Sequence, residues 1–172
     1  LHTAYRRQRQ MCIRDSFEII LSERVKKMKK RGVINQQLSN ALAGLGHGDY
    51  FLLCDAGFPI PKEAERVDLA LTFGIPNMDQ CLKAILDEIV VQKVTIAEEM
   101  KDLNDEGYQF IKRVFKNQKL CETSQEELVK LANNAKFIVR SGELRCYSNI
   151  LLEAASGVDI FKNDFIIDPA QI

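Results

Sequence analysis

Short apolar runs alternate along this chain with longer segments whose apolar residues recur at helical spacing. Runs typical of buried strands cover residues 50–54, 67–71, 91–97, 136–139 and 148–152. Amphipathic helices are predicted over residues 35–45, 77–90, 104–116 and 124–133. Because strands that alternate with helices favour parallel pairing, the pattern predicts a single-domain, layered α/β fold in which helices flank a mostly parallel sheet.

Residues that suit the ends of helices mark several of these boundaries. The Gly-rich residues 44–48 end the first helix, because glycine readily adopts the conformation common at helix C-termini. Asn77 follows Pro76 and can cap the second helix. Ser124, with Glu127 three residues later, matches a capping box at the start of the fourth helix.

The most informative segment for function is residues 45–62, which read LGHGDYFLLCDAGFPIPK. His47 lies in the Gly-rich turn before the strand at 50–54, and Asp55 comes directly after that strand. A carboxylate at the end of a buried strand sits where open α/β sheets place their ligands, and an imidazole is a natural acid–base group near neutral pH. These residues alone leave structural roles open: His47 could bond a carbonyl, and Asp55 could form an Asx-turn.

Four segments resemble the D-ribose pyranase and fucose mutarotase family and follow the same order as in that family. They are GHGDYFLLCDAGFPIPK, RVDLALTFGIP, TIAEEMKDLN and IVRSGELRCYSNILL. The PIPK ending and the cysteine before Asp55 are closer to the ribose branch. The resemblance therefore implies a ribose pyranase-like domain and an isomerase that interconverts the β-pyranose and β-furanose forms of D-ribose.

The resemblance also implies roles for individual residues. His47, in its Gly-His-x-Asp context, would be the catalytic acid–base group. The residues that would bind the sugar are Asp55, Gln125, Tyr147, Ser148 and Asn149. Gln125 departs from the family pattern, because ribose-branch members usually carry a histidine there, and glutamine can bond a hydroxyl but cannot titrate. Arg140 and Glu143 are interpreted as a structural ion pair.

The same resemblance implies a homo-oligomer, because family members form rings of roughly eight or ten subunits with the site at a subunit interface.

No cofactor is expected, since the chain contains no GxGxxG, GxxxxGK[ST], HExxH or GxSxG motif. Two alternatives remain open. One is a mutarotase for fucose or another aldose, and the other is a non-catalytic sugar-binding accessory of ribose transport.

The net charge of zero hides an asymmetry between the beginning of the chain and the rest. Residues 1–32 carry ten Lys/Arg and three Asp/Glu, whereas residues 33–172 carry fourteen and twenty-one. The segment RRQRQMCIRDS resembles translated adapter sequence more than selected protein. We therefore expect residues 1–27 to be a non-native or disordered extension, residues 28–161 to be the domain and residues 162–172 to be a C-terminal tail.

Composition excludes several other classes of function. The mildly acidic body argues against nucleic acid as a partner, and no apolar stretch reaches the roughly 18 residues of a membrane helix. Five cysteines without a CxxC pair, together with two histidines, make a metal site unexpected. We expect a cytoplasmic protein, and the family resemblance implies that its ligand is a small, uncharged monosaccharide.

Overall fold

The fold is taken from a computed structural model that describes residue 29, residues 32–157 and residues 159–161. The chain divides into two units, of which the second, Gly32–Ile172, contains the secondary structure given below. The expected extension at residues 1–27 and the tail at residues 162–172 lie outside the described residues.

Helices and strands alternate through most of this unit. In chain order they are α1 (Gln36–Ala43), β1 (Tyr50–Cys54), β2 (Arg66–Asp68), α2 (Met78–Leu86), β3 (Val91–Ala97), α3 (Met100–Leu103), α4 (Asp105–Val114), β4 (Lys119–Thr123), α5 (Gln125–Ala132), β5 (Ile138–Arg140) and β6 (Ile150–Ala154). A 3₁₀ turn follows at Asp159–Phe161. No helix among the described residues is long and apolar enough to cross a membrane.

The six strands form one sheet in the order β2-β5-β1-β6-β3-β4. Strand β6 is antiparallel to both of its neighbours, β1 and β3, whereas the pairs β2–β5, β5–β1 and β3–β4 are parallel. Five strands therefore run in one direction, and we call the edge at which they end the carboxyl edge and the opposite one the amino edge. The expected mostly parallel α/β fold is confirmed.

Helix caps form where the sequence indicates them. The Asn77 side chain accepts from the backbone N–H of Gln80 at 2.9 Å, and the Gln80 side chain accepts in return from Asn77. Ser124 Oγ accepts from the N–H of Glu127 at 3.2 Å. These bonds satisfy N–H groups that a helix start would otherwise leave without partners, and they fix where α2 and α5 begin.

Alternate residues of β1 point into two core layers. Phe51 and Leu53 pack with α1, α2 and α4, and the Phe51 ring stacks on Phe137 with 5.2 Å between centroids. Leu52 and Cys54 face the opposite layer, which α5 covers. Burial raises the pKa of the Cys54 thiol strongly, so Cys54 acts as a small apolar residue, as the sequence indicates.

Two observed elements, β4 and α3, were not predicted from the pattern of apolar residues. Strand β4 carries exposed Lys119 and Glu122 and lies at the end of the sheet, so it has neither an apolar run nor clean alternation. Helix α3 has only four residues, too few to show a helical period. The remaining predicted elements are all present, with ends that differ by a few residues.

Candidate functional site

Loops from several strands meet at the carboxyl edge. Residues after β1, β3, β4 and β5 leave the sheet there, and the antiparallel β6 begins there. The register Leu53↔Ile150 places the start of β6 beside the end of β1. As a result, Asn149 comes to lie next to Asp55, and Tyr147 and Ser148 precede it in the same loop.

Asp55 is buried at this edge, with 8% of its surface exposed. Its backbone N–H donates to Asn149 Oδ1 at 3.0 Å, and its Oδ1 accepts from the N–H of Gly57 at 2.9 Å. The second bond is the Asx-turn that the sequence left open. Burial raises the pKa of Asp55, although its hydrogen bonds act in the opposite direction.

Tyr147, Ser148 and Asn149 form the triplet before β6, and Tyr147 and Ser148 are held in place by contacts other than those with Asp55. Ser148 is buried and its Oγ accepts from Asn104 Nδ2 at 2.9 Å, and the same amide donates to the Cys146 carbonyl at 3.2 Å. Tyr147 has a left-handed φ of 58°, which is uncommon for a residue with a side chain. Its ring packs against both core layers, so packing and the Asn104 bonds together fix this backbone.

Asn104 is a positioning residue that the sequence does not reveal. It stands before α4, where its Oδ1 accepts from the N–H of Gly107 at 3.1 Å. An asparagine before a helix signals a cap, but nothing in the sequence indicates that its amide nitrogen reaches across to Ser148. One side chain thus connects the start of a helix to the loop before β6.

Gln125 lies at the same edge but apart from this group. It begins α5, after β4, and its backbone N–H donates to both carboxylate oxygens of Glu99, at 3.0 and 3.1 Å. Three strand intervals of about 4.8 Å separate β4 from β1. The Gln125 Oε1 is buried without a hydrogen-bond partner among the described residues, and such an acceptor costs stability unless a donor reaches it.

His47 lies at the amino edge, in the turn between α1 and β1, and is exposed. The next residue, Gly48, donates its N–H to the Ala154 carbonyl at 2.9 Å, which ties the turn to the far end of β6. The strand Tyr50–Cys54 separates His47 from Asp55, and its four steps span about 13 Å. The imidazole and the Asp55 carboxylate therefore cannot meet within one chain.

Glu143 and Arg140 do not pair with each other, so their interpretation as one ion pair is wrong. Arg140 Nη1 lies 2.9 Å from Asp68 on the neighbouring strand. Glu143 binds Arg145 through two hydrogen bonds, of 3.1 and 2.9 Å, and accepts from the N–H of Met78 at 3.2 Å. The residue spacing shows which charges are near in sequence, but strand pairing and the turn after β5 decide which side chains meet.

The Glu143–Arg145 pair anchors the loop between β5 and β6 to the start of α2. Glu143 is buried, with 5% of its surface exposed. Burial acts to raise its pKa, but the Arg145 guanidinium and the N–H groups of Met78 and Arg145 outweigh burial and hold the pKa at about 2. The ionised carboxylate therefore stabilises the loop that carries Tyr147, Ser148 and Asn149.

Replacing Glu143 with Gln should destabilise the protein by about 2–4 kcal/mol at pH 7, because Arg145 loses its buried charged partner. A folded-state pKa lowered from 4.5 to about 2 gives stability that is present above pH 4.5 and is lost as the pH falls towards 2. Urea unfolding at several pH values should therefore show the gap between wild type and variant closing in acid. Glu106→Gln, at an exposed partner 3.5 Å from Arg145, is the control. A gap that is independent of pH would contradict the assignment.

Curated proteins match this chain over nearly their full length. Residues 28–158 match the RbsD / FucU transport protein family. A D-ribose pyranase of Petrotoga mobilis is 44% identical over 76% of this chain and 98% of its own length. A D-ribose pyranase of Bacillus licheniformis is 41% identical over 74% of this chain and 97% of its own length.

Solved structures agree with these matches. The structure of Bacillus subtilis RbsD complexed with D-ribose is 37% identical, covers 74% of this chain and 98% of its own, and has a TM-score of 0.72. The fucose mutarotase of Streptococcus pneumoniae in complex with L-fucose covers 73% of this chain and 95% of its own at 19% identity and a TM-score of 0.58, which shows a shared fold. Because the family match covers residues 28–158 and the two D-ribose pyranases are 41% and 44% identical over most of the chain, the chain belongs to the RbsD / FucU family.

Proposed function

We propose that this protein is a D-ribose pyranase, an isomerase that interconverts the β-pyranose and β-furanose forms of D-ribose. The observation that carries the proposal is the meeting of Asp55 with Asn149 at the carboxyl edge, in a chain that is 41–44% identical to D-ribose pyranases. The ribose branch is favoured over fucose because the ribose complex has both the higher identity and the higher TM-score.

The reaction needs only proton transfers. The anomeric hydroxyl loses its proton, the ring oxygen gains one, and the bond between C1 and the ring oxygen breaks to give the open-chain aldehyde. Attack by the 4-hydroxyl on C1 then closes a furanose, and attack by the 5-hydroxyl closes a pyranose. In either closure the attacking hydroxyl loses its proton, the carbonyl π bond breaks and the aldehyde oxygen gains a proton. Atoms and electrons balance without an oxidant, so a correctly placed acid–base group is sufficient.

His47 is the group that we assign to these proton transfers. An imidazole can both donate and accept protons near neutral pH, which suits a reaction made of proton transfers. His47 is exposed in a turn whose backbone is hydrogen-bonded to β6. The imidazole ring is therefore accessible, while the backbone that carries it is fixed. These features support the role that the family resemblance gives it.

The sugar is held, in this proposal, by Asp55 and the triplet before β6. The Asp55 carboxylate accepts from sugar hydroxyls, and its raised pKa reflects burial that such donors would offset. Asn149 contributes an amide, Ser148 a hydroxyl and Tyr147 both an apolar face and a hydroxyl. Asn104 and the Glu143–Arg145 pair keep these groups in position.

The complete site then requires two subunits. Because β1 keeps His47 and Asp55 at opposite edges, His47 of one subunit must act on the sugar held by another. This supports the ring-shaped homo-oligomer that the family resemblance implies.

A cytoplasmic location is supported by the four described cysteines, Cys54, Cys81, Cys121 and Cys146, which are free thiols.

The activity is tested by exchange NMR on D-ribose, which follows magnetisation between the β-pyranose and β-furanose signals. Wild-type protein should accelerate the exchange, and His47→Ala should lose about 10²–10⁴-fold of that acceleration. His47→Gln, which keeps hydrogen-bonding groups but cannot titrate, should be as inactive as His47→Ala while still binding ribose. An uncatalysed exchange rate in the presence of wild type would contradict the proposal, and ribose binding without acceleration would favour an accessory role.

A site shared between subunits can be tested with two inactive variants. We expect His47→Ala and Asp55→Asn each to be inactive alone, and co-expression to restore about a quarter of wild-type activity, because random mixing gives that fraction of sites both native groups. Asparagine can still accept from Gly57, so Asp55→Asn should fold normally. Hybrids that stay inactive although both chains are present by mass would rule out the shared site.

Gln125 Oε1, which has no hydrogen-bond partner among the described residues, can be removed to test its effects on stability and on sugar binding. Gln125→Met keeps the shape but removes Oε1, so it should raise stability by about 1 kcal/mol. A contact between Oε1 and the sugar would be separate from that of Asp55 in the same chain, since three strand intervals lie between β4 and β1; its loss would raise the KM for ribose by about five- to tenfold. Gln109→Met, on the exposed side of α4, is the matched control. An unchanged KM in Gln125→Met would exclude a contact between Oε1 and the sugar.

A further inference from the structure

One ion pair spans the turn that carries His47. Asp49 Oδ2 accepts from the backbone N–H of Gly46 and from Lys136 Nζ, at 2.7 and 2.6 Å. Lys136 Nζ also donates to the Gly44 carbonyl at 2.6 Å. The two side chains therefore connect backbone on both sides of His47, and we call the pair the Asp49–Lys136 clamp.

Lys136 is itself fixed by the sheet. Its backbone N–H donates to the carbonyl of Tyr50, the first residue of β1, at 2.7 Å. Its ammonium lies at the end of α1, where the last carbonyls of a helix favour a cation. The clamp thus joins the end of α1, the His47 turn and the segment that leads into β5.

The carboxylate of the clamp is ionised near neutral pH. The hydrogen bond from Lys136, followed by that from the Gly46 N–H, lowers the pKa of Asp49 below its ordinary value. Hydrogen bonds between charged groups are shorter and stronger than those between neutral groups. The clamp therefore holds the turn more firmly than the backbone bonds of the turn alone.

Strand β6 holds the other side of the turn. The N–H of Gly48 donates to the Ala154 carbonyl, and the N–H of Ala154 donates to the Asp49 carbonyl, each at 2.9 Å. Gly48 has a left-handed φ of 82°, which glycine adopts at little cost. Because His47 is exposed, the position of its imidazole depends on this backbone rather than on packing around the ring. A shift of the turn would therefore move the imidazole directly.

We propose that Asp49 and Lys136 are positioning residues for His47, which hold its imidazole where it can exchange protons with the sugar. Neither side chain needs to touch the sugar, since the clamp acts through the backbone on both sides of His47. The inference rests on the proposed function, because it concerns the proton transfers that we assign to His47.

Lys136→Met, in the full 172-residue chain, removes the cation but keeps an unbranched side chain. In exchange NMR over a range of ribose concentrations, kcat should fall by about 10- to 100-fold, because misplacement of a reacting group by about 1 Å has an effect of that size. The KM for ribose should stay within about twofold, because the Asp55 group is unchanged. Hydrogen exchange followed by mass spectrometry should be at least about tenfold faster in peptides that cover residues 44–49.

Lys83→Met is the matched control, because it breaks an ion pair of 2.7 Å with Asp87 on α2. It should leave kcat, KM and the hydrogen exchange of residues 44–49 unchanged. An equal fall in kcat in this control would overturn the proposal.

A double-mutant cycle with Asp49→Asn distinguishes one clamp from two unrelated defects. Asparagine can still accept from Gly46 but carries no charge for Lys136. If the two residues act as a unit, the variant with both changes should lose about as much kcat as Lys136→Met alone. Losses that multiply would contradict a clamp.

The proposal is also overturned by a Lys136→Met variant that keeps its kcat, or by one whose KM rises while kcat does not fall. Native mass spectrometry should show the same assembly in wild type and variants, and a loss of activity explained by dissociation into single chains would count against the clamp. Failure of the proposed function is seen separately, in a wild type that leaves ribose exchange at its uncatalysed rate. An active wild type with an equally active Lys136→Met variant would remove the clamp alone.

Discussion

The antiparallel direction of strand β6 decides which side chains meet at Asp55. If β6 ran parallel to β1, its first residues would lie at the amino edge. Because β6 runs against β1, with Leu53 opposite Ile150, the loop before β6 reaches the end of β1. The bond from the Asp55 N–H to Asn149 Oδ1, across 94 positions of sequence, is the direct result. The same reversal places Ala154 beside Gly48 and so fixes the turn that carries His47.

Two buried carboxylates near this edge, Glu143 and Asp55, differ in their hydrogen-bond donors, and this difference distinguishes a structural carboxylate from one that can bind a ligand. Glu143 is surrounded by donors, above all the Arg145 guanidinium, and its pKa is held at about 2. Asp55 has fewer donors and no cationic partner that outweighs its burial, so its pKa is raised. The first carboxylate has its acceptor capacity used by the protein, whereas the second keeps capacity for a ligand. This difference in environment is what we expect between a structural ion and a group that binds hydroxyls.

Much of the fold could be predicted because its causes are local. The apolar run 50–54 and the side-chain caps at Asn77 and Ser124 each depend on residues a few positions apart, and each is present. The direction of β6 and the partner of Glu143 depend on contacts between distant segments, and no local pattern encodes them. Strand β4 is missed for a different reason, since a polar strand at the end of a sheet needs no apolar period.

The sequence predicts which residues belong to the candidate site better than it predicts how they are arranged. Family resemblance supplied His47 and Asp55 together, and the sequence already placed a strand between them, but only the three-dimensional structure shows that Asp55 meets Asn149. Two contacts have no sequence signal, because each is defined by what lies around the side chain in space. They are the bond from the Asn104 amide to Ser148 and the lack of a hydrogen-bond partner for Gln125 Oε1 among the described residues.

The two outer strands of the sheet carry one further consequence. Strand β2 has three residues, of which Arg66 and Asp68 are exposed, and β4 presents Lys119 and Glu122 to solvent. Short, charged outer strands discourage the addition of another strand through backbone hydrogen bonds. Copies of this chain are therefore discouraged from joining their sheets edge to edge, the step by which strands add to a growing fibre.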